Sequence, residues 1–81
     1  MPYLIVEYDF NPPATDQELA RMSASLSPCL EVRNVKRIRS VISEDRRRGF
    51  CEFEAADTET LREAYRSARV SFHSVWAATH F

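Results

Sequence analysis

The sequence is poor in glycine, cysteine and long apolar runs, and each shortage excludes a class of protein. With one Gly, it has no glycine-rich loop of the kind that binds phosphate groups. Cys29 and Cys51 are too few and too distant for a disulfide framework or a zinc site, and we interpret them as buried free thiols in a reducing cytoplasm. No apolar run approaches the ~18–20 residues of a membrane span, so we expect no membrane partner.

The charges are nearly balanced, with 11 Lys and Arg against 12 Asp and Glu and a net charge of −1. This balance gives no bulk attraction to nucleic acid or to anionic membranes. The first ten residues have no basic region before their apolar stretch, so we expect no signal peptide there. At 81 residues we expect a single domain, residues 1–81, with a thin margin of stability. Domains this small often gain stability by self-association.

The first half of the chain reads as a strand followed by a helix. Alternating apolar and polar residues predict a strand over Tyr3 to Phe10, which Pro12 ends because proline cannot donate to a β-ladder. Thr15 and Glu18 form a capping box that opens a helix, and Pro28 is expected to break or kink that helix. The apolar positions at helical spacing are Leu19, Met22, Leu26 and Leu30.

The second half reads as a hairpin, a helix and a last strand. We predict strands over Val35 to Ser43 and over Arg48 to Ala55, joined by a short charged turn. Asp57 caps the second helix, and the aromatic and β-branched tail from Phe72 to Phe81 supplies the fourth strand. The apolar face of the second helix consists of Leu61, Ala64, Tyr65 and Ala68.

The element order β-α-β-β-α-β predicts an α+β fold. Right-handed crossovers and the hairpin favour a ferredoxin-like βαββαβ sandwich, with an antiparallel sheet in strand order 4-1-3-2 and both helices on one face. The sheet then has one face covered by helices and one open face. Side-chain alternation assigns the following residues to the covered face: Leu4, Val6, Tyr8, Phe10, Ile38, Cys51 and Phe53.

The open face is predicted to carry charges from neighbouring strands, with aromatic residues beside them. One explanation is cross-strand ion pairing, worth only about 0–1 kcal/mol for each exposed pair. We favour a second, in which two open faces pack together in a homodimer that encloses a cavity for a small molecule or a metal. The candidate ligand-binding residues are Glu7, Asp9, Arg37, Arg39, Glu52, Glu54 and Trp76.

A metal site is one use of these side chains. Carboxylates on neighbouring strands suit hard or intermediate cations, and a histidine near the last strand adds a nitrogen ligand. The sequence has no tight ligand spacing such as H-x-x-x-H or C-x-x-C. The candidate metal ligands are Asp9, Glu52, Glu54 and His73.

Other functions have less support in the sequence. The segment from Arg48 to Phe53 resembles the third strand of RNA-recognition motifs, but carboxylates such as Glu7 and Glu52 on the same face would repel a phosphate backbone, so we expect no nucleic-acid partner. No Ser/His/Asp or Cys/His pattern is recognisable. A small cofactor-free enzyme that uses the dimer cavity, and a structural or regulatory dimer without ligand, stay open as alternatives.

Several segments together carry a resemblance to a known family. They are Pro28 to Leu30, Val35 to Ser40, Asp45 to Arg48, Cys51 to Asp57, and Val75 with Trp76. In this order they resemble a family of short bacterial ferredoxin-like domains of unknown function that includes a nickel-binding protein. The resemblance implies a cytoplasmic homodimer and binding of nickel or another divalent transition metal. The nickel-binding members carry histidines near the end of the first strand, where this chain has Glu7, Tyr8 and Asp9, so no family ligand transfers directly.

Overall fold

A four-stranded antiparallel sheet and two helices make up the fold of residues 2–81, the part of the chain that the computed structural model describes. The sheet has the strand order β2-β3-β1-β4, which confirms the predicted ferredoxin-like α+β fold. The strands are β1 (Tyr3–Asp9), β2 (Lys36–Ile42), β3 (Arg48–Glu54) and β4 (Ser74–Ala78), and the helices are α1 (Asp16–Glu31) and α2 (Thr58–Ala68).

Both helices begin at the caps that the sequence predicts. The Thr15 hydroxyl accepts a hydrogen bond from the Glu18 backbone N–H at 3.1 Å, and the Glu18 carboxylate accepts one from the Thr15 N–H at 3.3 Å. Asp57 accepts a bond of 2.7 Å from the Thr60 N–H. These bonds satisfy N–H groups that have no partner within the first turn of a helix.

Pro28 does not break α1, so the first of the two effects predicted for it, a break or a kink, is wrong. The helix continues through this residue to Glu31. Leu26 and Leu30, one on either side of the proline, are both buried in the core. Their burial favours continuing the helix by several kcal/mol together, about the size of the penalty for an interior proline.

The core lies between the helices and the covered face of the sheet. Phe53 packs edge-on against Tyr65 of α2, with ring centroids 6.2 Å apart. The hydroxyls of Tyr8 and Tyr65 form a buried hydrogen bond with each other. Phe10, just beyond β1, packs against the edge of this core. The predicted covered-face residues that the structure buries are Leu4, Val6, Tyr8, Cys51 and Phe53.

A β-bulge in β2 reverses the predicted facing of two residues. Arg37 pairs with Phe53 of β3 and Arg39 pairs with Glu52, so Ile38 is an extra residue between two consecutive pairs. The prediction that Ile38 lies on the covered face is wrong, because its side chain is exposed. Arg37 takes the covered-face position instead, and the prediction that it lies on the open face is also wrong.

The last strand is shorter than the predicted Phe72 to Phe81. Val75 packs against the core. Trp76 lies on the open face, as predicted. Residues 79–81 run on beyond the strand, and His80 among them returns to the sheet. Within residues 2–81, none of the helices combines the length and the apolar character needed to cross a membrane.

Candidate functional site

The register of the strands arranges the open face as rows of neighbouring residues. The central row runs across all four strands and consists of Arg39, Glu52, Ile5 and Trp76. The next row consists of Val41, Phe50, Glu7 and Ser74. A shallow depression of about 230 Å³ lies between these rows, with apolar walls and the Arg39–Glu52 pair at one side.

Three apolar side chains of these rows are exposed to solvent. The exposed fraction is 58% for Val41, 38% for Phe50 and 45% for Trp76. Val41 and Phe50 are cross-strand neighbours, and all three line the same depression. We call Val41, Phe50 and Trp76 the apolar patch. The apolar patch lies beside charged groups of the open face. Neighbouring apolar side chains exposed to water are unfavourable, and such patches often mark sites of contact with another molecule.

Glu52 is the centre of a small polar network. It is only 6% exposed although it lies on the open face. Its carboxylate accepts hydrogen bonds from Arg39 Nε at 2.9 Å and from His80 Nε2 at 2.6 Å. Burial raises the pKa of Glu52, but the bonds from His80 and Arg39 and the Arg39 charge outweigh it, so the pKa lies below its usual range. Glu52 is therefore ionised and already provided with partners.

Glu7 is held by donors from β4. Its carboxylate accepts hydrogen bonds from the Trp76 indole N–H at 2.7 Å and from the Ser74 hydroxyl at 3.1 Å. The Trp76 bond, with smaller contributions from Ser74 and from nearby positive charge, keeps the pKa of Glu7 below its usual range. The bond also fixes the orientation of the indole ring, so Glu7 positions part of the apolar patch.

Asp9 and His73 form an exposed pair at the end of β1. The distance between His73 Nδ1 and Asp9 Oδ2 is 3.2 Å, and both side chains are 62% exposed. The His73 backbone N–H donates to the carbonyl oxygen of Glu7 at 2.7 Å, which anchors the histidine beside the sheet. This pair presents one nitrogen and one carboxylate to solvent.

The four predicted metal ligands do not form one cluster. Asp9 lies opposite Arg48, whereas Glu54 lies opposite Tyr3 at the other end of β1. Six residues along a strand span about 20 Å. Within residues 2–81, no group of three or more His, Cys, Asp or Glu side chains is placed to hold a metal ion. The strand register thus separates Glu52 and Glu54 from the Asp9–His73 pair.

Arg37 lies away from the other predicted ligand-binding residues. Its Nη1 donates to the Ser23 hydroxyl of α1 at 2.9 Å, beneath the helix layer. The open face therefore carries Glu7, Asp9, Arg39, Glu52, Glu54 and Trp76 from the predicted set, without Arg37.

The chain is similar to a known protein family over most of its length. The family model described as "Nickel responsive protein SCO4226-like" matches residues 3–77. The chain belongs to this family. Membership confirms the resemblance seen in the sequence, and the family description connects the fold with a response to nickel. No protein of curated function matches the chain.

The fold of the SCO4226-like family is also seen in a solved structure. The crystal structure of SCO4226 from Streptomyces coelicolor A3(2) superposes with a TM-score of 0.84 and covers 98% of each chain, at 10% sequence identity. At this identity the likeness concerns the fold alone. It supports the element order and the sheet topology of this SCO4226-like chain.

Sequence reasoning missed the role of His80 in this SCO4226-like domain. Since His73 and His80 are seven positions apart, a regular strand would place them on opposite faces. However, β4 covers only Ser74–Ala78, so both histidines lie outside it and each reaches a carboxylate of the open face. The His80 ring also lies against Tyr3, with ring centroids 4.2 Å apart. No signal in the sequence gives the path of the chain after Ala78.

Proposed function

We propose that this SCO4226-like chain is a homodimeric binding domain that pairs through its open face and binds a divalent transition metal, nickel foremost, at the Asp9–His73 pair. The observation that carries the proposal is this exposed pair of one imidazole and one carboxylate. The family description favours nickel among the possible metals. We also propose a cytoplasmic location, which the free thiols of Cys29 and Cys51 support.

The metal and the dimer depend on each other in this proposal. One chain supplies two ligands from the Asp9–His73 pair, fewer than the four to six that a divalent transition metal takes. In a two-fold dimer each residue of the interface is present twice. A second copy therefore supplies a second imidazole and a second carboxylate, which completes a site of mixed nitrogen and oxygen ligands.

Glu52 is a poorer ligand than Asp9. Its carboxylate already accepts bonds from Arg39 and His80, and a metal would have to displace them. Among the described residues 2–81, the Asp9 carboxylate forms an ion pair with His73 alone, and its side chain is open to solvent. In the proposed dimer, the hydrogen bonds of Glu52 hold the side chains at the centre of the open face in place. The metal binds near the edge of that face.

The apolar patch supports pairing through the open face. A domain of this size has little core, and burial of apolar surface contributes about 25 cal/mol for each Å² removed from water. Val41 and Phe50 are cross-strand neighbours and Trp76 lines the same depression, so one contact between two copies can bury all three. The charged groups around the patch then set the orientation of the copies.

The first test is the oligomeric state. Light scattering at micromolar concentration is expected to give about twice the 9.4 kDa mass of one chain. Val41→Lys is expected to give a monomer, since it places a charge in the apolar patch. Val32→Lys is the matched control, because Val32 is 77% exposed at the end of α1, and the dimer should persist. A monomeric wild type, or a dimer in both variants, would contradict the interface.

The second test is nickel binding by calorimetry. We expect the wild-type chain to bind Ni²⁺ and the His73→Ala variant to bind it at least about tenfold more weakly. Even the loss of a residue that only positions a metal ligand has an effect of this size. His80→Ala removes the other histidine and is expected to retain binding. Equal affinity in wild type and His73→Ala, or an equal loss in both variants, would rule out the Asp9–His73 site.

A further inference from the structure

A second cavity lies between α1 and the β2 edge of the sheet, on the side of the helices, and its lining reaches Val41 and Phe50. We call it the α1–β2 cavity; it has a volume of about 330 Å³, at the lower end of the range for small-molecule pockets. Leu19, Met22 and Leu26 of α1 form one wall, and Ile42 of β2 lies on the other side. The lining is mostly apolar, so the cavity favours a ligand with an apolar body.

Few polar groups face this cavity. Arg37, Ser23 and Ser40 contribute to the lining together with Cys51. The Ser40 hydroxyl and the Cys51 thiol lie 3.0 Å apart and bond to each other. Arg37 donates through Nη1 to Ser23 at 2.9 Å. Arg37 thus brings the one permanent charge of this lining.

The positive charge of Arg37 has no counter-ion in the described part of the chain. No carboxylate of residues 2–81 forms an ion pair with it. Its Nε is buried and, of the buried side-chain nitrogen and oxygen atoms described, is the one without a hydrogen-bond partner. Buried donors without a partner are rare in folded proteins and call for an explanation such as a missing ion.

We propose that the α1–β2 cavity binds a small monocarboxylate with an apolar chain or ring. The carboxylate pairs with the Arg37 guanidinium, whose planar donors match two carboxylate oxygens. The apolar part of the ligand packs against Leu19, Met22 and Ile42. The bulge in β2 makes this site, because it turns Arg37 from the open face to the side of the helices. The site is separate from the proposed nickel site.

The test uses sodium octanoate and 1-octanol as matched probes, which share an apolar chain and differ in charge. Each is titrated into isotope-labelled wild-type protein, and backbone amide shifts are followed by NMR. We expect octanoate to shift the amides of Met22, Ser23 and Ser40 and to bind at least about tenfold tighter than octanol, as a charge-assisted hydrogen bond provides. Equal affinity for the two probes, or octanoate shifts confined to Ile5 and Trp76 of the open face, would overturn the proposal.

Two variants test the role of Arg37. Arg37→Gln keeps a long polar side chain without the charge, and it is expected to weaken octanoate binding about tenfold and to remove the preference over octanol. Arg21→Gln is the matched control, since Arg21 is exposed on α1 beside Met22, and it should bind octanoate like the wild type. Unchanged octanoate affinity in Arg37→Gln would refute the pairing. If that variant fails to fold, the comparison of the two probes on wild type still decides.

Discussion

Replacing Phe53 with alanine is expected to lower the free energy of unfolding by about 3–5 kcal/mol, the usual cost of removing a buried phenylalanine ring. Phe53 is fully buried on β3 and packs against Tyr65, so the deletion opens a cavity in the centre of the core. A small domain has a total stability of about 5–15 kcal/mol at most. Much of it would be lost, which urea denaturation followed by circular dichroism measures.

The matched control lies in the same strand. Phe50→Ala removes the same group from the open face, where the ring is 38% exposed, and its expected cost is less than half as large. Phe50 and Phe53 lie on opposite faces of β3. Comparing the two variants therefore tests the side-chain alternation that assigns residues to the open face. Similar losses in both variants would contradict the facing of β3. The measurements should be made on monomeric protein, for which Val41→Lys provides the background.

The protein is expected to lose stability steeply above about pH 10, the usual pKa of tyrosine. Burial, the largest cause, raises the pKa of both Tyr8 and Tyr65 above that value in the folded state. Between about pH 10 and the folded pKa values, the unfolded chain has therefore released protons that the folded chain still holds. Each such group lowers the stability by about 1.4 kcal/mol per pH unit, and the contribution is intact below about pH 10.

Tyr8→Phe isolates this effect from other groups that titrate in alkali. The variant removes one of the two buried hydroxyls, so the tyrosine contribution to the slope of stability against pH is expected to fall by half, about 1.4 kcal/mol per pH unit. Urea denaturation at a series of alkaline pH values measures both slopes. Identical slopes for wild type and Tyr8→Phe would show that Tyr8 is free to ionise in the folded protein.

Much of the fold follows from local patterns in the sequence. The alternation of β1 and β3, the capping box at Thr15 and the cap at Asp57 each depend on residues a few positions apart. They determine the element order, and short right-handed connections then leave one sheet topology. The open-face positions of Glu7 and Glu52 follow from the same alternation.

The remaining features of the proposed nickel site and of the α1–β2 cavity were decided only by the tertiary structure. The bulge at Ile38 depends on how β2 aligns with β3, and one extra residue exchanges the faces of Arg37 and Ile38. The pairing of His80 with Glu52 depends on the path of the chain beyond β4. The sequence by itself determined which segments become strands and helices, because those choices are made by near neighbours. The contacts of Arg37, His73 and His80 join residues far apart in the chain, so they were decided when the elements packed together.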